Sequence, residues 1–240
     1  MTQLGAQMFT VREFTKDTEG LLETFRKLRA IGYEAVQVSA IGAGIPVQDV
    51  AEGLKENGLT CAATHISFDD CKRDLDAVIA KHKAWGCEYV GVGMMPEEYR
   101  ADAAGLERFA REASDVADEL AKAGLKFVYH NHNFEFRKFD GKVGMDILFD
   151  NSSRNFQFEI DTFWVQKGGA DVRAWIDKVR GRMDVVHFKD MALNDKAEQI
   201  MAEIGQGNLN WDGIIAGCRD IGVKWYLVEQ DASLVDNLYV

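Results

Sequence analysis

The chain has 240 residues, 47% of them hydrophobic and 28% charged, enough for one sizeable core and close to the roughly 250 residues of a single (β/α)8 barrel. Its formal charge of −11 argues against nucleic acid as a partner, because an acidic surface repels phosphodiester backbones. No stretch approaches the roughly 20 apolar residues of a membrane span, and Met1-Thr-Gln-Leu-Gly5 carries no basic segment leading into an apolar one, so a cytoplasmic protein off the membrane is expected.

The first apolar run, Leu4 to Phe9, reads as a strand. From Asp17 to Ile31, Leu21, Leu22, Phe25, Leu28 and Ile31 recur at spacings of three and four, which is one helical face, and Gly32 ends it as a C-terminal cap. Tyr33 to Ser39 is a second strand. Pro46 to Asn57 is a helix with proline in its first turn and Gly58 after its end. Leu59 to His65 is the third strand, and Asp69 to Trp85 reads as one long amphipathic helix closed by Gly86. On that reading His82 is a surface residue. Cys87 to Gly93 is the fourth strand, Ala103 to Ala123 a helix, and Gly124 the turn into the fifth strand, which runs into Phe127-Val-Tyr-His-Asn-His-Asn-Phe-Glu-Phe136.

Beyond it, Asp140-Gly141 marks a hairpin turn, and Gly144 to Asp150 a short helix. Asn155 to Asp161 is the sixth strand, Asp171 to Arg180 a helix, and Met183 to Phe188 the seventh strand. Asn210 to Asp220 is the last clear helix and Lys224 to Glu229 the eighth strand. After it only Gln230 to Val240 remain, so the eighth helix is expected to be short or missing. The four cysteines, Cys61, Cys71, Cys87 and Cys218, form no CxxC pair and read as reduced thiols.

Strict β-α alternation without a linker predicts one domain over 1–240, a closed (β/α)8 barrel. The competing open doubly wound sheet would carry a glycine-rich phosphate turn after the first strand, and Gly5-Ala-Gln-Met-Phe-Thr-Val11 does not provide one. Active sites of such barrels lie at the C-terminal strand ends. There the sequence puts His65, His130 and His132, Asp161, His187 and Glu229, with Glu135 in the loop after strand five. Carboxylates and imidazoles together suit one divalent cation, Mn²⁺ first and Mg²⁺, Co²⁺ or Zn²⁺ as alternatives, and the absence of thiolates argues against a structural zinc knot. The metal set expected is Glu135, Asp161, His187 and Glu229. His130 and His132 share parity along the strand and flank the metal or the substrate, unless one merely ties down the hairpin. Lys189 shares the face of His187 and is placed for a substrate oxygen, or else for solvent. Trp164 offers a wall for a sugar ring, or simple packing. Gly205-Gln-Gly207 precedes a helix N-terminus and cradles an anion there, or is a plain turn.

Tyr129-His-Asn-His-Asn-Phe-Glu-Phe136, Glu159-Ile-Asp161-Thr-Phe-Trp164, Val186-His-Phe-Lys-Asp190, the Gly205-Gln-Gly207 to Asn210-Trp211 loop and Val228-Glu-Gln-Asp231, with Leu4 to Phe9 and Val11-Arg12 at the start, resemble the sugar phosphate isomerase/epimerase group of the xylose isomerase-like barrels. That group also holds the endonuclease IV-type, AP endonuclease family 2, enzymes. The resemblance implies one divalent metal on a Glu–Asp–His–Glu set from strands five to eight. Asp161, His187 and Glu229 match it, and His130 stands where the first glutamate belongs, so Glu135 from the loop, or His130 itself, takes that place. The activity implied is isomerisation or epimerisation of a sugar or sugar phosphate through an enediolate, with Glu229, His130 or His132 as base and His65, Trp164 and Lys189 contacting substrate. The alternatives are a keto-sugar or keto-inositol dehydratase or lyase, which also carry histidine-rich strand-five ends, and a non-catalytic carbohydrate-binding barrel. An abasic-site endonuclease needs a three-metal cluster, which four strand-end histidines and the acidic charge do not favour. Homo-oligomers are common in the group.

Overall fold

The computed structural model describes residues 3–233 and 238–239. In chain order its elements are β1 (Gln3–Gln7), a 3-10 segment (Met8–Phe14), α1 (Thr18–Ile31), β2 (Ala35–Val38), α2 (Val47–Glu56), β3 (Thr60–Thr64), α3 (Phe68–Arg73), α4 (Leu75–Ala84), β4 (Tyr89–Val92) and α5 (Ala103–Lys122). They continue with β5 (Lys126–His130), the hairpin β6 (Lys138–Phe139) and β7 (Lys142–Val143), α6 (Gly144–Asn151), β8 (Phe156–Asp161), α7 (Thr162–Lys167), α8 (Val172–Lys178) and β9 (Val185–Phe188). A second hairpin, β10 (Asp190–Leu193) and β11 (Gln199–Ala202), precedes α9 (Trp211–Ile221) and β12 (Trp225–Val228).

The sheet order is β3-β2-β1-β12-β9-β8-β5-β4, with every pairing parallel. Its two edges meet where Ile66 bridges Val92 and the Ile66 N–H donates to the Gly91 carbonyl at 2.9 Å, so the barrel is nearly closed. The eight strands are those expected from the alternation. The place of an eighth helix, after Gln230, falls partly outside the described residues. None of the described helices is long and apolar enough to cross a membrane.

One element departs from the sequence expectation. The helix read over 69–85 is two helices, because Asp74 adopts φ −153°, ψ 77° and its side chain accepts from the Ala77 N–H at 3.0 Å, capping α4 as α3 ends. Two other elements left no clear sequence signal: α7, started by the Asp161 side chain, and the β10–β11 hairpin.

Strand alternation sorts the core into two layers. Ala35, Val128, Val185 and Leu227 pack on one another inside the barrel with the Tyr89 ring. Their strand neighbours Phe127, Tyr129, Phe156, Phe158 and Val186 face the helices, where Phe109 of α5 meets Tyr129 with ring centres 5.2 Å apart. The same parity therefore carries Gln37, His130 and His187 into the barrel, above the inner apolar layer.

Candidate active site

The C-terminal strand ends bring His130 of β5, Asp161 of β8, His187 of β9 and Glu229 after β12 together, all buried, with one ligand-type atom from each lying within 4.8 Å of the others. Their hydrogen bonds show what the group lacks. His130 Nδ1 lies 3.1 Å from the Gly93 carbonyl, which can only accept, so this nitrogen carries the proton. Nε2 then turns towards Asp161 Oδ2 at 3.2 Å. His187 repeats the pattern. Its Nε2 donates to Gln37 Oε1 at 2.6 Å, an oxygen fixed because the Gln37 amide N–H groups go to Glu159 Oε1 and the Thr64 carbonyl. Its Nδ1 faces Glu229 Oε2 at 2.9 Å. In each neutral imidazole a lone pair would oppose a carboxylate oxygen, and only a proton or a cation between them removes the conflict. Burial works against a proton on His187, yet the Glu159 and Glu229 carboxylates push its imidazole up to about 10.

A metal ion fits the same place. Imidazole nitrogens and carboxylate oxygens are ligands for borderline divalent cations, and each ring is anchored through its other N–H, as ligating histidines usually are. The second group of this kind, His65, Glu159 and His187, is hydrogen-bonded throughout. Glu159 accepts from Gln37 and from His65 Nε2 at 2.5 Å, its Oε1 lies 3.1 Å from His187 Nε2, and Gln7 Nε2 donates to His65 Nδ1 at 3.3 Å. Burial disfavours its charge, but His187 and His65 hold the Glu159 carboxyl well below the usual range. Glu159, held by His65 and Gln37, supports His187 from beneath. Sequence reasoning gave Glu159 no role; its signal was the shared parity of Glu159 and Asp161 on one strand. A Cβ at Gly93 would lie 2.7 Å from His65 Nδ1, so glycine there leaves room for His65.

Lys189 is buried as well. Its Nζ lies 2.9 Å from Glu229 Oε2, 3.2 Å from Asp161 Oδ2 and 2.9 Å from Asp231 Oδ1. Against the cost of burial, these carboxylates, Asp161 foremost, hold the ammonium above its ordinary range. Burial and then the neighbouring Glu229 raise the Asp231 carboxyl.

The structure does not bring Glu135 into this group. It lies on the helix side of β5, where Oε1 accepts from the Tyr129 hydroxyl at 2.5 Å and Oε2 from the His132 backbone N–H at 2.9 Å, and burial pushes its carboxyl up to about 7. Tyr129 faces away from the barrel interior, so a carboxylate bound to it cannot also reach the strand-end cluster; His130 stands in that place. His82 is likewise not a surface residue. It is fully buried, with Nδ1 donating to the Val78 carbonyl and Nε2 accepting from the Thr64 hydroxyl, both at 2.7 Å.

Above the cluster opens a cavity of about 580 Å³, with His65, His130, His132, Trp164, Lys189, Glu229 and Asp231 among its lining residues. His132 Nδ1 and Trp164 Nε1 are buried without a hydrogen-bond partner among the described residues, and the two rings lie 5.2 Å apart. Burial, with His130 adding to it, lowers the His132 imidazole far below its usual range. The Gly205-Gln-Gly207 loop is a closed turn. The Asp190 carboxylate accepts from the Gly205 and Gly207 N–H groups at 2.8 and 3.0 Å and from Trp211 Nε1 at 2.7 Å, so the protein's own anion fills the cradle.

The fold has solved counterparts. A sugar phosphate isomerase/epimerase from Parabacteroides distasonis ATCC 8503 superposes with a TM-score of 0.81 at 21% identity, over 100% of this chain and 94% of its own. An L-ribulose 3-epimerase gives 0.73 at 19% identity, over 99% and 84%. The IolI protein with a bound zinc atom gives 0.68 at 14% identity, over 96% and 89%. No curated protein sequence matches significantly. The family model of the xylose isomerase-like TIM barrel matches residues 25–236, most of the chain, and the protein belongs to that family.

Proposed function

We propose that the protein is a divalent-metal-dependent sugar isomerase or epimerase that removes a proton from the carbon beside a carbonyl. The observation that carries this reading is the buried donor set: one ligand-type atom from each of His130, Asp161, His187 and Glu229 converges under a cavity of ligand size. His130, Asp161, His187 and Glu229 would hold one cation, and their mixed nitrogen and oxygen donors favour Mn²⁺, Co²⁺ or Zn²⁺ over Mg²⁺. When bound, such an ion supplies Lewis-acid polarisation of a substrate carbonyl and its adjacent hydroxyl.

The chain's own groups do the rest. His130 has one nitrogen on Gly93 and the other turned to Asp161, so it leaves no nitrogen for proton transfer. Glu229 and His132, from different strands, both line the cavity and are the proton carriers of the proposal. His132 enters neutral, because burial disfavours its imidazolium. Lys189 keeps its charge among three carboxylates and offsets the negative charge that develops on the enediolate oxygen. Trp164 walls the sugar ring. Return of the proton to the opposite face gives epimerisation, and return to the neighbouring carbon gives isomerisation. A histidine at the fourth position of the cluster supports a second reading, in which the same enediolate expels a β-hydroxyl as in keto-sugar dehydratases.

Solvent deuterium exchange at the α-carbon of a panel of ketoses, followed by NMR, tests the proposal. Exchange should require Mn²⁺, Co²⁺ or Zn²⁺ and stop after treatment with EDTA. Exchange in metal-free protein, or none with any of these cations, would overturn it, and an α,β-unsaturated product would select the dehydratase reading.

A further inference from the structure

We infer that this site takes an uncharged carbohydrate and discriminates against its phosphate ester. The inference rests on the reading of the same cavity as a metal-dependent proton-transfer site, and it names the class of substrate.

Charge carries the argument. Among the described residues, Lys189 is the one lysine or arginine that lines the cavity, and its ammonium already meets Asp161, Glu229 and Asp231. Glu159 lies directly beneath as a fourth carboxylate. With neutral imidazoles, a dication and Lys189 together supply three positive charges against these four negative ones. A phosphate dianion would therefore meet a wall of net negative charge, at short range and partly shielded from water.

Two groups of the kinds that serve phosphates are committed elsewhere. Phosphate sites are built from Arg or Lys forks and from clustered backbone N–H groups. The Arg12 guanidinium donates to the Phe9 carbonyl at 2.8 Å and the Asp231 carbonyl at 3.2 Å, and stacks on the Phe9 ring at 4.1 Å. The N–H groups of the Gly205–Gly207 loop already hold the Asp190 carboxylate.

What the cavity does offer is suited to a neutral polyol. Phe9, Ile66, Met94 and Trp164 give it apolar walls against which the C–H face of a sugar can pack. Trp164 Nε1 can only donate, and His132 Nδ1 also lacks a partner.

The test is a matched pair, a ketohexose and its 6-phosphate, titrated calorimetrically into the protein with Mn²⁺ in excess. The neutral sugar should bind at least tenfold more tightly. Equal or tighter binding of the phosphate would overturn the inference, and so would binding of neither. Deuterium exchange on the same pair separates this from the proposed reaction. If the neutral sugar is preferred in binding but exchanges no proton, the proton-transfer reading fails and the substrate class stands. If the phosphate binds more tightly and exchanges, the substrate class fails and the reaction stands.

Discussion

The two ends of the barrel are each built from ionisable groups, and they are opposites in how those groups match. At the N-terminal end, Asp184 Oδ2 accepts from the Tyr89 hydroxyl at 2.8 Å, Lys126 Nζ at 2.8 Å and Lys224 Nζ at 3.1 Å, and Lys126 also meets Glu88 at 2.9 Å. The Asp184 and Glu88 carboxylates there both face donors. At the C-terminal end, three carboxylates share one ammonium, and two imidazoles each turn one nitrogen towards a carboxylate oxygen. Burial of a polar residue does not by itself tell a plug from a site, since Tyr89 is buried at one end and Asp161, His187 and Glu229 at the other. Complementarity does: a polar cluster that is complete without a ligand closes the barrel, and one that needs a cation to be complete is a place to bind it.

The largest effect expected from this contrast is at Glu229. Glu229→Gln keeps the size of the side chain but removes one of the two carboxylates facing the imidazoles. Turnover should fall at least ~1,000-fold, about 4 kcal/mol of transition-state stabilisation, while circular dichroism still reports a folded barrel. Retention of a tenth of the activity would mean that the acceptor-rich end is no more functional than the plug. Next comes Glu159→Gln. Glu159 touches no part of the proposed cation position except through His187, whose Nε2 it holds. Loss of such a support typically weakens metal binding about 10- to 100-fold, which a competitive chelator titration would read directly. Unchanged affinity would place Glu159 with Asp184, as a residue that only fills and closes.

Much of this contrast is visible in the sequence, and the part that is not has a physical cause. The eight strands follow from glycine-ended helices alternating with apolar runs, and a parallel barrel turns that order into position, so Asp161, His187 and Glu229 had to share one rim. Glu135 misled because sequence distance to the rim is not side-chain direction. The chain turns after His130 into a 3-10 turn (Phe134–Phe136) that carries Glu135 to Tyr129, on the opposite face of β5. His82 misled for a related reason: a polar residue mid-helix reads as exposed unless its partners are known, and Thr64 and Val78 supply both. Glu159 and Lys189 were legible as residues on the right strand face. Their importance lies in partners from other strands, Gln37 and His65 for one and Asp231 for the other, and such pairings exist only after the barrel closes.

The smallest effect is expected at the other end, and it is the sharper test of the contrast. Asp184→Asn leaves Lys126 and Lys224 beside an amide instead of a carboxylate. Asp184 is 20% exposed and the two lysines 31% and 49%, so water and salt screen much of the change. The loss should be about 1–2 kcal/mol of stability, a fall of a few degrees in Tm for a chain of this length, and it should shrink as ionic strength rises. Between Asp184 and the cation position lies the inner layer of Ala35, Val128, Val185 and Leu227, whose side chains are apolar. Metal affinity and turnover should therefore match those of the unsubstituted protein at temperatures where both are folded. If turnover falls along with Tm, the inner layer transmits between the ends, and the division of the barrel into a plug and a site would have to be given up.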